Sequence, residues 1–407
     1  MDSTVLGIFL VVYGGMILGK VPGLALDRTG VALLGAIALL ATGRLTPSQA
    51  WGALDGSTLA LLFGLMVVSA QLRLGGFYSE LTGRLAAADI PPSRLLALLV
   101  LTAGLLSALL ANDIVCLAMA PILVVGCSRS GLDPKPFLLA LACAANVGSA
   151  ATLIGNPQNM LIGQTLHLSF GGYLLDAVPP ALCGLVAVWW VVRRQVGNDW
   201  HRGTVVAEPF APPFDRWQSG KGVLVVVLLT AAFLFAPWPR EVLALGAAGI
   251  LLCSRRMRSG NILALVDWHL LILFIGLFVV NHALAASGLL GGGFALLQRA
   301  GIDLARPAWL FALTVPLSNL VSNVPAVMLL LPAADHPLSG AVLALASTLA
   351  GNLLVVGSIA NIIVIDQAAR LGVAISWREH LRVGAPVTLI TLGMAALWLW
   401  IRWQFPG

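Results

Sequence analysis

The chain has 407 residues, of which 59% are hydrophobic and 10% charged, and its formal charge is +6. So few charged side chains cannot cover a soluble protein of this length, which excludes a water-soluble globular class and leaves an all-α polytopic membrane protein facing lipid. The positive charge lacks basic clusters interleaved with aromatics on a soluble domain, so it reads as anchoring charge at one membrane face, and no nucleic-acid partner is expected.

Apolar runs of near-spanning length fall first at about 4–20, 30–43 and 58–74, against the roughly 20 residues a bilayer requires. The first run meets Lys20 without a small-residue cleavage site and reads as a retained helix. An amphipathic piece follows at 77–88, then two apolar arms of about 15 residues, 95–110 and 114–128, turning at Ala111, Asn112 and Asp113. Arms this short read as a re-entrant hairpin, 95–128, tolerated only where protein or a watery cavity covers the exposed backbone. The run 137–165 contains Gly155-Asn156-Pro157 in mid-membrane and reads as a broken helix; a further span follows at 176–194. The segment 195–220, with Asp199, Arg202, Glu208, Pro209, Pro212 and Pro213, is hydrophilic and marks a linker.

The series then repeats. Runs at 221–237, 240–254 and 268–287 precede an amphipathic piece at 293–301. Arms at 306–320 and 325–334 surround Ser322-Asn323-Val324 and make a second hairpin, 306–334; a second broken helix, 339–366, and a last span, 383–403, complete the chain. Residue identities repeat too. Asp55, Gly64, Val67 and Val68 recur as Asp267, Gly276, Val279 and Val280; Ser107, Asn112 and Pro121 as Ser318, Asn323 and Pro332; Gly155 and Asn159 as Gly357 and Asn361. The expected domains are thus two repeats, 1–194 and 221–407, each with five transmembrane helices, a re-entrant hairpin and a broken helix. An odd number of crossings per repeat inverts one against the other, the layout of secondary transporters whose site forms where repeats meet.

Charge orients this scheme. The segments 20–29, 73–94, 129–136, 195–220, 255–260 and 367–382, with their flanks, hold 18 of the 23 Lys and Arg residues; only Arg44, Arg240, Arg299, Arg306 and Arg402 fall opposite. The basic side is expected to be the cytoplasm, in an inner membrane crossed many times, with both termini outside.

The candidate site follows from the polar residues in apolar surroundings. Asp113 is the one acid in a hairpin tip; an ionised acid at that depth costs several kcal/mol unless it is used or paired, so it is a candidate proton carrier or cation ligand. The equivalent position is Val324. Breaks in mid-membrane helices free backbone carbonyls and N–H groups to hold ions, although neighbouring helices can also satisfy a kink. Asn112, Asn146, Thr152, Asn156, Gln158, Asn159, Ser322, Asn323, Ser358 and Asn361 are therefore candidate substrate or ion ligands, with Asn112, Asp113 and Asn159 a candidate sodium site. Asn281 and His282 read as an interhelical polar pair, and Asp55 and Asp267 as helix caps. The five cysteines show no CxxC and suggest neither disulfide nor zinc. No HExxH or GxSxG motif supports an intramembrane enzyme, and no cofactor beyond a coupling proton or sodium is expected. A passive channel remains an alternative.

The tips Ala-Asn-Asp and Ser-Asn-Val-Pro, the paired hairpins and the run Gly155-Asn156-Pro157-Gln158-Asn159 resemble the ion transporter superfamily of arsenite permeases, NhaD-type sodium/proton antiporters and divalent-anion/sodium symporters, closest to the arsenite-permease-like branch. Carboxylate symporters of that superfamily carry Ser-Asn-Thr at both tips, which this chain lacks. The resemblance implies a homodimer with an elevator-like motion that moves a small inorganic or organic anion or an arsenite-like oxyacid. Because no Lys or Arg lies in either tip or broken helix, proton-linked transport of a neutral hydroxide or weakly charged oxyanion is the expected chemistry. Sodium-coupled carboxylate or anion symport and sodium/proton antiport are the alternatives.

Overall fold

The computed structural model describes residues 2–19, 23–201 and 213–404. Lys20 and, in the linker, Arg202, Glu208, Pro209 and Pro212 lie outside the described residues. The first half comprises α1 (Ser3–Leu18), α2 (Arg28–Ala41), α3 (Pro47–Gly52), α4 (Gly56–Leu74), α5 (Phe77–Ala86), α6 (Pro92–Leu109), α7 (Asn112–Arg129), α8 (Pro134–Ser149), α9 (Pro157–Thr165) and α10 (Phe170–Val196). The second half gives the same series: α11 (Arg216–Phe235), α12 (Arg240–Leu252), α13 (Ser259–Leu263), α14 (Trp268–Ala286), α15 (Leu289–Arg299), α16 (Pro307–Val321), α17 (Asn323–Leu330), α18 (Ser339–Ala350), α19 (Ile359–Arg370) and α20 (Trp377–Gln404). The short α3 and α13 carry no apolar run and escape the hydropathy pattern.

Local chemistry sets these boundaries. Asp2, Asp27, Asp55, Asp133, Asp215 and Asp267 each accept a first-turn backbone N–H and cap a helix, satisfying donors that lipid cannot. Proline opens α3, α6, α8, α9 and α16, where its missing N–H costs nothing. Among the described residues seven helices are long and apolar enough to cross a bilayer. Five of them, α4, α10, α11, α14 and α20, are expected spans. The other two are α6 and α7, the arms of the first hairpin, at 18 residues each. Their length corrects the expectation of short arms, since about 27 Å of helix approaches a hydrocarbon thickness. What marks this pair as a hairpin is its junction, which is bonded to the first break in the protein interior: the Asn112 N–H donates to Gly155 O at 3.1 Å and Thr152 Oγ1 donates to Ala108 O.

Equivalent helices of the two halves run in opposite directions. Arg402 at the end of α20 pairs with Asp176 near the start of α10 at 2.9 Å, while Gln195 at the end of α10 donates to the carbonyl of Arg382 near the start of α20. The halves also interlock by reciprocal contacts. A Cβ on Gly64 of α4 would lie 2.7 Å from the backbone of Ala244 in α12, and one on Gly276 of α14 would lie 2.6 Å from the backbone of Ala32 in α2. Gly64 and Gly276 are repeat equivalents, as are Ala32 and Ala244, so one close crossing is made twice about a two-fold relation.

Two helix groups result. One is built on α1, α2, α4, α11, α12 and α14; the other on both hairpins, both broken helices, α10 and α20. Basic-side segments meet one another: Asp133 N–H donates to Trp200 O at 2.8 Å, Asp215 N–H to Gly75 O at 2.9 Å, and Lys135 pairs with Glu379 at 2.7 Å. At the opposite end Arg44 pairs with Asp2, and Arg240 donates to the carbonyls of Gly163 and Leu168.

Candidate functional site

The two breaks and two hairpin tips meet in the second helix group as a closed ring of amides and hydroxyls. The first break, between α8 and α9, frees the carbonyls of Ser149 and Thr152; the Asn159 amide donates to them at 3.3 and 2.9 Å. The second break, between α18 and α19, frees those of Gly351 and Leu354; the Asn361 amide donates to them at 2.8 and 3.1 Å. Each asparagine thus reaches back ten and seven residues to hold its own break. Gly155 sits where a side chain has no room, since a Cβ there would lie 2.4 Å from Ser149 O and 2.6 Å from Ser107 O.

Across the two-fold relation the ring is bonded reciprocally. Asn146 Nδ2 donates to Asn361 Oδ1 at 3.1 Å, and its equivalent Thr348 donates to Asn159 Oδ1 at 3.5 Å. Ser358 Oγ donates to Asn146 Oδ1 at 2.8 Å, and its equivalent Asn156 donates to Thr348 Oγ1 at 3.1 Å. Asn146 is the hub: it also accepts from Asn112 of the first tip at 3.3 Å and donates to Asn352 Oδ1 at 2.9 Å. Gln158 donates to Thr348 Oγ1 at 3.1 Å. Asn323 of the second tip, with its amide oriented to satisfy both ends, donates to Ser347 O and Gly357 O and accepts from Gln158. Asn112, Asn146, Thr152, Asn156, Gln158, Asn159, Asn323, Ser358 and Asn361 are all buried. No Lys or Arg hydrogen-bonds to the ring among the described residues, so its recognition chemistry is that of neutral donors and acceptors.

Asp113 and Ser322 are the two candidates that are only partly buried. Ser322 forms the second tip with φ +78°, a left-handed conformation that costs a non-glycine residue about 1 kcal/mol or more. Asp113 is partly exposed; its own N–H is taken by Asn112 Oδ1 at 3.0 Å. Among the described residues no hydrogen bond or ion pair reaches its carboxylate. It lines a cavity of about 30 Å³ together with Asp267, Pro157, Met66 and Leu62. The candidate sodium set is therefore not assembled in this conformation: Asn159 spends its amide on the first break, Asn112 is bonded to Asn146, and Asp113 faces the cavity beside Asp267.

Asp55 and Asp267 are caps, and Asn281 bridges helices by accepting from Tyr13 at 2.8 Å. The sequence reading missed Thr348, Ser149, Asn352, Tyr173 and His380. Thr348 was within reach, because the spacing that relates Asn159 to Asn361 also relates Asn146 to Thr348.

The fold matches solved transporters. The YdaH transporter of Alcanivorax borkumensis superposes with a TM-score of 0.59 at 15% identity, covering 99% of this chain and 98% of that one. MtrF of Neisseria gonorrhoeae, described among antimetabolite efflux pumps, gives 0.58 at 13% identity over 97% and 93%. Sequence relatives are closer. A protein named as an uncharacterized transporter of Mycobacterium tuberculosis is 32% identical over 93% of this chain and 94% of its own length. The inner membrane protein YbiR of Escherichia coli is 31% identical over 82% and 85%, and the silicon efflux transporter LSI3 of Oryza sativa subsp. japonica 29% over 96% and 95%. The profile described as "Citrate transporter" (CitMHS) matches residues 13–342, and this multi-pass membrane protein belongs to that transporter family.

Proposed function

We propose that this chain is a secondary active carrier for a small oxyanion or a neutral hydroxide of the arsenite type, coupled to protons through Asp113. The observation that carries the reading is the reciprocal ring of Asn, Ser and Thr side chains at the crossing of two helix breaks, with an unpaired acid beside it. A ring of neutral donors suits a hydroxylated solute whose O–H and oxygen groups exchange hydrogen bonds with amides. A multiply charged anion would need compensating cations that the ring does not hold. A relative named for silicon efflux supports the hydroxide class, since silicon dissolves in water chiefly as a neutral hydroxide. The hairpins and broken helices would move together against the other helix group in an elevator-type motion, in a homodimer of the inner membrane with the basic side cytoplasmic. A second reading, sodium-coupled carboxylate symport, draws on the name of the family profile; sodium/proton antiport is its companion.

Purified protein in liposomes separates these. Arsenite, silicic acid, phosphate and citrate are each offered under an imposed proton or sodium gradient. Proton-driven movement of arsenite or silicic acid is expected. Citrate uptake driven by sodium alone would replace the reading with the second one, and currents at channel rates would remove carriers altogether.

A further inference from the structure

The last helix of each half touches its break in an equivalent way, but with different chemistry. Tyr173, fourth residue of α10, donates to the carbonyl of Ala150 at 2.7 Å. His380, fourth residue of α20, places Nε2 3.1 Å from the carbonyl of Asn352. Ala150 and Asn352 are repeat equivalents, so an imidazole stands in the second half where a phenol stands in the first. His380 is 1% exposed, and both its Nδ1 and the Nδ2 of Asn352 lack a partner.

From His380 a bonded path reaches the ring. Asn352 accepts from His380 through its carbonyl and from Asn146 through its side chain, at 3.1 and 2.9 Å; Asn146 then meets Asn112, Asn361 and Ser358. Ala150 has no side-chain oxygen or nitrogen to offer; in the first half Tyr173 meets the ring directly, its hydroxyl accepting from Asn159 at 3.2 Å. The elements packed on α20 are α8, α10, α18 and the second break. At this end of the packed elements the charged groups are Asp133 and Lys135 at the start of α8, Arg193 and Arg194 in the last turn of α10, Asp199 after it, and Arg378, Glu379 and Arg382 of α20 itself; α18 and the break contribute none. Lys135 and Glu379 are paired with each other, and with Arg382 they line an open cavity of about 190 Å³ at this end of α20.

We propose that His380 is the proton-exchanging group of the second half, and that its imidazolium supplies the positive charge against which an oxyanion is held at the ring. A neutral imidazole bonded through Nε2–H leaves Nδ1 as a bare acceptor; adding a proton there puts a cationic side chain on the second break. This rests on the carrier reading above and narrows its substrate to an anion at the pH where His380 is charged. It also answers the asymmetry at Val324, where the second tip lacks the acid that the first has in Asp113.

The test uses the full-length protein and the variants His380→Tyr, which keeps a donor for Asn352 O as Tyr173 does for Ala150, and His380→Gln. Nitrogen NMR of histidine-labelled protein in detergent assigns the His380 resonance as the one missing from the variants. That resonance should pass from the neutral to the doubly protonated position as the pH is lowered. Initial uptake in liposomes, with phosphate, arsenite and citrate as probes, should change about tenfold per pH unit above the His380 midpoint in the parent for the anionic probe it carries, and less than about twofold in both variants. A His380 resonance in one protonation state across the whole range overturns the proposal, as does a variant that folds and keeps the parent's pH profile. Should the parent carry none of the probes, the carrier reading fails there, while the NMR result still decides whether His380 exchanges a proton.

Discussion

Replacing Asn361 by alanine removes one amide that serves two ends of the site. Its Nδ2 is the side-chain donor to the carbonyls of Gly351 and Leu354, and its Oδ1 accepts from Asn146. Asn361, Asn146 and Gly351 are buried, and Leu354 is partly buried. The variant leaves Gly351 O without that donor, whereas Leu354 O keeps the Gly357 N–H at 3.0 Å and Asn146 Nδ2 retains Asn352. At about 1–3 kcal/mol for a buried group left unsatisfied, the loss is about 1–3 kcal/mol. For a chain of this size about 1 kcal/mol corresponds to about 1 °C of unfolding midpoint, so a drop of about 1–4 °C is expected by thermal shift in detergent. Transport in liposomes should fall by at least about tenfold, because the second break loses its fixed geometry. Asn159→Ala, which also gives up a bond to Tyr173 at 3.2 Å, should behave alike. An Asn361→Ala protein with an unchanged midpoint and parental transport would refute the claim that this amide holds the break.

Three further outcomes are expected. Asp113→Asn should abolish proton-driven transport while leaving thermal stabilisation by substrate intact; undiminished proton coupling would remove Asp113 from the mechanism, and a loss of sodium dependence alone would favour the sodium reading. Gly155→Ala should destabilise the protein by about 1–3 kcal/mol and cut transport, since the added methyl meets backbone oxygens at 2.4 and 2.6 Å that cannot swing aside; a variant of parental stability would show that the tip and break are not in contact. In a background lacking the exposed Cys183 and Cys253, a cysteine at the exposed His167 should react with an impermeant reagent from outside intact cells and one at Trp217 should not, with labelling of both from one side breaking the inverted arrangement.

Much of the fold is legible because a bilayer makes hydropathy a direct readout of helix. The run 58–74 is α4 within two residues, and 268–287 is α14 within one. Gly155-Asn156-Pro157 marks the first break because these residues interrupt backbone bonding wherever they occur in a helix. The site is legible in its membership, less so in its wiring. Asn159 and Asn361 read as ligands for a solute, yet in this conformation their amides are spent on carbonyls of their own breaks. Nothing in sequence spacing tells whether a mid-membrane asparagine serves a guest or the backbone beside it. Thr348 and His380 escape for another reason: a threonine in an apolar helix and a histidine near a helix start are ordinary, and only their three-dimensional neighbours single them out. The first arm of the first hairpin reads short in the sequence because Pro92, Ser93 and Arg94 break the apolar pattern, although proline is at home in a first turn.

The reciprocal crossings of Gly64 on Ala244 and Gly276 on Ala32, with the ring bonds between Asn146, Asn361, Thr348 and Asn159, all join one half to the other. Biogenesis inherits this. When the ribosome has released the first half, α2 and α4 have no partner for these surfaces, and the side chain of Asn146 has only Asn112 of its four hydrogen-bonding partners. At about 5–20 residues per second, that half waits in the bilayer for about 10–40 s before the rest arrives. A nascent chain in that state offers unsatisfied amides to quality-control proteases. Two separately encoded halves should accumulate only when expressed together, each serving as the folding template of the other.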